Sequence, residues 1–254
     1  MNTSVSSTST RVAVITGHSH GLGQAVALAL LAQGWRVLGV SRSVWPLHEA
    51  EAHPALTQVA LDLSDSAALA SWLAGPTWAQ ALEGAQRVWL VNNAGTVQPM
   101  GPVGVQGPQA AAQAVALNVA APLMLADALV AATPVTVDRR IVHVSSGAAR
   151  NPYAGWSVYC ATKAALDMHA RATQLDAVAG LRIESLAPGV VDTGMQAQIR
   201  STGVDKFPHV ARFQALHAEG ALASSSAVAA RLVAHVGSEA FGQNPVRDLR
   251  DLPA

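Results

Sequence analysis

Cysteine is almost missing from the sequence: Cys160 is the only one in 254 residues. No internal disulfide and no cysteine-rich zinc site is therefore open to the chain, and a reducing, cytoplasmic setting is expected. An excess of charge of either sign is missing too. Sixteen Lys and Arg stand against 16 Asp and Glu, for a formal net charge of zero. No broad field would draw the protein to nucleic acid or anionic lipid, so neither is expected as a partner. The nine histidines show no HExxH-type spacing, so no metal site is expected. Met1–Thr10 lacks the basic and apolar segments of a signal peptide and reads as a loose polar leader. No apolar run reads as the roughly 18 uninterrupted residues of a spanning helix. Lysine is scarce as well: Lys163 and Lys206 are the only two, and arginine supplies the other basic side chains.

What is present is half hydrophobic, mostly Ala, Val and Leu. Apolar strand-like runs alternate with Ala/Leu-rich helical segments. RVAVIT at 11–16, RVLGVS at 36–41, residues 56–61, RVWLV at 87–91, residues 140–144 and 181–187 read as strands, and 244–247 suits a last one. Helical patterns fall at 21–34, 64–75, 109–131, 157–179, 195–218 and 225–236. Such alternation predicts an α/β fold: a single-domain, doubly wound Rossmann-type parallel sheet of about seven strands with helices on both faces, spanning 11–254. Ligand should then sit at the carboxyl ends of the strands, where strand order reverses.

The first strand runs into Thr16-Gly17-His18-Ser19-His20-Gly21-Leu22-Gly23, a TGxxxGxG loop that opens a helix. Glycines there let backbone N–H groups approach a pyrophosphate at a helix N-terminus. The second strand ends in Ser41-Arg42, where NAD-binding proteins often carry a carboxylate for the ribose 2′-OH. With no carboxylate to repel a 2′-phosphate, and with Arg42 to pair with one, NADP(H) is the expected cofactor. His20 suits a further donor.

Tyr159 and Lys163 stand four apart in a helical segment and so share a face. An ammonium beside a phenol favours phenolate, which predicts a lowered tyrosine pKa and a group able to protonate a carbonyl oxygen. Ser146, thirteen residues upstream at a strand end, offers a hydroxyl to the same oxygen.

Together these residues resemble the short-chain dehydrogenase/reductase family over nearly the whole chain. The match rests on TGHSHGLG at 16–23, Asp62-Leu63, Asn92-Asn93-Ala94-Gly95, Asn118, Ser146, the Tyr159-x-x-x-Lys163 pair and Pro188-Gly189-Val190-Val191-Asp192-Thr193, in the family's order. The resemblance implies that Asp62 and Leu63 hold an adenine, and that Asn93, Ala94 and Gly95 line the cofactor crevice. It gives Asn118 a backbone-holding role and a proton-relaying water. Lys163 would bond the nicotinamide ribose, Ser146 orient the carbonyl and Tyr159 serve as the acid. Pro188, Gly189, Val191 and Thr193 would seat the nicotinamide. Cys160 and Thr162 stand where the family often has Ala and Ser; both are small, so no functional change is expected. The family is also usually dimeric or tetrameric through the long helices, which leads to an expected homo-oligomer.

The segment 194–222 corresponds to the substrate lid. Its DTGMQ run and the F-x-x-L-x-x-x-G-x-L pattern from Phe213 resemble the benzil reductase and sepiapterin reductase branch. Tyr153, Trp156 and Met195 would then form an apolar wall against the substrate. Trp156 and Met195 equally suit core or dimer packing. The expected activity is reduction of one carbonyl of a vicinal diketone or aryl ketone. A pterin reductase, with Asp248 as a polar anchor, a secondary-alcohol dehydrogenase and a non-catalytic dinucleotide sensor stand as alternatives.

Overall fold

A computed structural model describes residues 10–253; the expected leader lies outside these, apart from Thr10, whose carbonyl accepts the Gln86 and Arg87 N–H groups. Seven parallel strands form one sheet in the order β3-β2-β1-β4-β5-β6-β7. They are β1 (Arg11–Thr16), β2 (Arg36–Ser41), β3 (Leu56–Ala60), β4 (Arg87–Asn92), β5 (Asp138–Val144), β6 (Leu181–Ala187) and β7 (Val246–Asp248). The inner strands are near-continuous hydrophobic runs because helices cover both of their faces. Val14, Leu90 and Ile141 point into one core and Ile15, Val91 and Val142 into the other.

Strand order reverses between β1 and β4, which pair in register from Arg11–Arg87 to Ile15–Val91. Their connections leave in opposite directions, and a crevice opens beyond their carboxyl ends. Helices α1 (Gly21–Ala32) and α10 (Ser225–Gly237) pack together on one face. On the other lie α3 (Ser66–Leu73), whose first turn is capped by the Asp65 carboxylate, and α4 (Pro76–Leu82). A short α2 (Leu47–Glu51) follows β2. The sequence pattern missed α2 and α4, which are too short to show a period.

The long apolar pattern at 109–131 folds as α5 (Pro108–Val115), a π-helical turn at Ala116–Ala120 and α6 (Ala121–Ala132). These 25 residues are long and apolar enough to cross a bilayer by composition alone, contrary to the expectation of no such run. Asp127 is their only charge. In the fold Ala121, Leu125 and Leu129 are buried in the core. Helix α7 (Ser157–Leu175) packs beside them.

The segment expected as one helix over 195–218 is two, α8 (Gly194–Arg200) and α9 (Val210–Ala218). The turn between them is fixed by aromatic packing. Phe207 is fully buried and stacks on Trp156 at 4.3 Å, with Phe213 against both rings.

Candidate active site

One cleft runs along the carboxyl ends of β1, β2, β4, β5 and β6. Gly17, Ser19, His20, Gly21 and Leu22 form its wall at the β1–α1 turn. Gly17 and Gly21 have positive φ, 67° and 59°, where a side chain is strained. A Cβ on Gly17 would meet Asn93 Nδ2 at 3.0 Å. Asn93 pins this loop by donating to the Thr16 carbonyl at 3.0 Å, and Thr16 Oγ1 accepts the Asn93 and Ala94 N–H groups. The turn is thus a preformed cradle of backbone amides at a helix N-terminus, the donor set that a pyrophosphate requires.

Two loop residues do other work. Gly23 faces away from the cleft; a Cβ there would overlap the Gly17 carbonyl, so its bareness lets α1 approach the loop. His18 was expected among the cofactor contacts, but it is fully buried beneath the loop. Its ring bonds Gln58 Oε1 at 2.7 Å and Ser41 Oγ at 3.0 Å, and burial lowers its pKa. The imidazole joins the glycine loop to β2 and β3.

Ser41, Arg42 and Ser43 line the cleft where β2 ends, with Asp62 and Leu63 facing them. The Asp62 carboxylate accepts the Ser64 N–H at 2.9 Å and hydroxyl at 2.7 Å, bonds that lower its pKa, with Arg42 adding a smaller electrostatic pull. Ala94 and Gly95 continue the floor, and Pro188, Gly189, Val191 and Thr193 form the wall after β6.

Ser146, Tyr159 and Lys163 lie together in this cleft. Ser146 sits just past β5. Tyr159 and Lys163 are both buried on the inner side of α7. Lys163 Nζ donates to the Val144 carbonyl at 2.7 Å and lies 5.8 Å from the Tyr159 ring centre. The expected fall in the tyrosine pKa is not what the site produces. Burial pushes the phenol up to about 12, against a smaller downward pull from its Ser146 hydrogen bond. Burial likewise pulls Lys163 down to about 8, with Asp167 opposing. Desolvation outweighs the pairing that sequence spacing suggested, because both groups are taken from water.

Asn118 does not line the cleft. It is buried in the π-helical turn, where its Oδ1 accepts the Thr96 N–H at 2.8 Å and its Nδ2 donates to the Thr96 carbonyl and to Thr162 Oγ1. It therefore ties the loop after β4 to α7 at the residue just before Lys163.

Beyond Tyr159, the cleft is walled by Tyr153, Trp156 and Met195. Sequence reasoning missed Gln196, Ile199, Arg212, Phe213 and Arg250, which also reach it. No local motif marks them; tertiary folding of the lid and the chain end brings them in. Arg212 Nη1 donates to the Tyr153 hydroxyl at 3.4 Å. Arg250 is clamped to both oxygens of Asp248, at 2.9 and 2.7 Å, and Arg150 lies 3.8 Å from the same carboxylate. Asp248, considered as a substrate anchor, is thus engaged by arginine and does not line the cleft. Cys160 is half-buried, with Sγ 3.9 Å from the Asn151 carbonyl. Among the described residues no cluster of metal-ligating side chains occurs.

A doubly wound sheet with an amide cradle at its switch point, and a tyrosine, lysine and serine at the far end, defines a dinucleotide-dependent oxidoreductase. The family model for short chain dehydrogenases matches residues 11–203. A benzil reductase that forms (S)-benzoin, from Bacillus cereus, is 35% identical over 93% of this chain and 98% of its own length. A sepiapterin reductase from Meriones unguiculatus is 33% identical over 94% and 96%. A crystal structure of a short-chain dehydrogenase/reductase from Burkholderia vietnamiensis is 49% identical, with a TM-score of 0.69 over 96% of this chain and 98% of that one. The protein belongs to the short-chain dehydrogenase/reductase family, in the branch of the benzil and sepiapterin reductases.

Proposed function

We propose that the protein is an NADPH-dependent reductase of small ketones, acting on one carbonyl of a vicinal diketone or on an aryl ketone. The observation that carries this is Tyr159: a buried, protonated phenol at the end of the amide cradle, beside Ser146 and Lys163. When bound, NADPH would supply the hydride. The residues present fit it. The loop 17–22 suits the pyrophosphate, Asp62 and Leu63 the adenine, and Asn93, Ala94 and Gly95 the central crevice. Arg42 and Ser43 present a guanidinium and a hydroxyl to a 2′-phosphate where β2 ends, and β2 itself ends in no carboxylate.

On this reading Ser146 donates to the ketone oxygen and orients it. Tyr159 gives its proton to that oxygen as alkoxide character develops. A phenol held near 12 stays protonated through the neutral range and is still far more acidic than an alcohol, so transfer runs downhill. Lys163 places a positive charge beside the phenolate left behind, and it suits a bond to the nicotinamide ribose.

Trp156, Phe213, Met195 and Ile199 supply an apolar wall suited to an aromatic ketone. The engagement of Asp248 by Arg250 favours the diketone over a pterin that needs a free carboxylate. The named relatives support both substrates at the level of the branch. The decisive experiment follows NADPH consumption with benzil, small diketones, aryl ketones and sepiapterin in parallel, with NADH as the alternative reductant. Turnover of diketones with NADPH is expected. Tight NADPH binding with no turnover across the panel would point instead to a dinucleotide sensor, and preference for NADH would overturn the cofactor assignment.

We also propose that copies associate as a homodimer or homotetramer through an apolar face of α5, the π-helical turn and α7. Ala111, Ala112, Val115, Ala116, Ala120, Val158 and Ala161 line a shallow, almost wholly apolar groove there. Small side chains of this kind let helices approach closely.

A further inference from the structure

Helix α7 carries a third buried polar residue on the face that bears Tyr159 and Lys163. Asp167 follows Lys163 by four residues, as Lys163 follows Tyr159, and it is 5% exposed. Its Oδ1 accepts two hydroxyls at 2.7 Å, Ser145 from the end of β5 and Ser185 from β6. Its Oδ2 has no hydrogen-bond partner. The nearest guanidinium, Arg150 Nε, stands 4.0 Å from that oxygen. A carboxylate half-satisfied at this depth is costly unless a positive charge lies close. Besides Arg150, the cation near it is the buried Lys163 ammonium one turn back on α7, whose pKa the Asp167 charge raises.

We propose that Asp167 is a positioning residue: its carboxylate keeps Lys163 charged and fixes the strand end that presents Ser146. It acts through these two groups and does not line the cleft. The inference rests on the reading of Tyr159 and Lys163 as the proton-donating pair.

The other groups around Lys163 do not supply the counter-charge. On α7, Tyr159 is a protonated phenol. On β5, His143 is fully buried and held at about 3, chiefly by desolvation, so it is neutral. From the π-helical turn, Asn118 is uncharged. Around Asp167, Arg150 approaches from the turn after β5, and past it Asp248 and Arg250 pair with each other at β7. Among these groups, Asp167 is the one whose charge raises the Lys163 pKa.

Two lysines in the whole chain make the test direct. Protein labelled with [ε-13C]lysine gives two side-chain signals, and Lys206→Arg leaves only that of Lys163. In that background the signal should titrate near about 8. Asp167→Asn keeps the acceptor for both serines and removes the charge. The Lys163 proton-dissociation constant should then rise about tenfold or more. The alkaline limb of kcat/KM for NADPH should move down by the same amount. Arg150→Ala, a change at a half-exposed side chain, removes the competing cation and should move the Lys163 titration the other way. It remains informative should the Asn variant fold poorly. A Lys163 titration unchanged in Asp167→Asn, or lowered in Arg150→Ala, overturns the proposal and leaves Asp167 as a structural staple. The titration needs no ketone. Loss of the expected turnover with these shifts intact would therefore strike the functional reading and spare the role of Asp167.

Discussion

At the scale of the residue, the chemistry turns on which groups hold protons. Tyr159→Phe removes the acid and keeps the ring packed against Trp156. Turnover should fall by at least about a hundredfold with NADPH affinity near that of the parent. A variant retaining more than about a tenth of the rate would remove Tyr159 from the acid's role. The pH dependence belongs to Lys163. Its lowered pKa leaves it charged below about 8 and neutral above, whereas the phenol at about 12 does not titrate in the working range. So kcat/KM for NADPH should decline as pH rises through about 8. A flat profile between about pH 7 and 9.5 would contradict this. Stability responds with opposite signs at the two groups. The raised tyrosine contributes stability present below its ordinary value near 10 and lost as pH rises through about 12. The lowered lysine contributes stability present above its ordinary value and lost as pH falls through about 8. At the other end of the cleft, Arg42→Ala should raise KM for NADPH about tenfold or more and leave NADH nearly unaffected, read by steady-state kinetics with both reductants. Equal losses for both would mean that Arg42 does not meet a 2′-phosphate.

Among the elements, β2 shows how the cradle is supported from below. Gly39 lies against the His18 ring, and a Cβ added there would overlap the imidazole. Gly39→Val should push His18 off Gln58 and Ser41, lowering stability by about 1–3 kcal/mol and weakening NADPH binding. Thermal unfolding and fluorescence titration of NADPH read the two effects. A lowered Tm with unchanged affinity would confine His18 to a folding role. The sequence reported this histidine in the wrong place, because loop membership marks a residue as near the phosphates without telling which way it points. The strands were legible, since parallel strands buried on both faces leave continuous apolar runs such as RVAVIT and RVWLV. The ends of β3, β4, β5 and β7 shifted by one or two residues, as edges set by pairing do. The lid was read as one helix because its apolar residues recur at helical spacing on both sides of Phe207. The break is set by the stack on Trp156, a contact 51 residues away in sequence that no local pattern carries. Gly155 belongs to the same device: it has a φ of 82° and lies directly against the Lys206 carbonyl of the lid turn. The missed cleft residues Arg212 and Arg250 have the same origin, since they come from a lid helix and the chain end.

For the molecule as a whole, the outer face of the long helices is apolar and exposed, and the proposed assembly would cover it. Val115 is 47% exposed and sits in the groove with Ala112, Ala116, Val158 and Ala161. The sheet-facing side of the same helices holds the active tyrosine and lysine, so an interface here would brace α7 from behind. The parent protein should therefore sediment well above its 26.1 kDa chain mass. Val115→Glu places a charge where apolar surfaces meet, and leaving it unpaired costs about 3–5 kcal/mol per buried copy. The variant should shift toward 26.1 kDa in light scattering. It should also lose thermal stability that depends on protein concentration in the parent. Activity should fall with the assembly, because α7, which carries Tyr159 and Lys163, would lose its support although no cleft residue is altered. A parent already at one chain mass, or a charged variant that still assembles, would move the interface away from these helices.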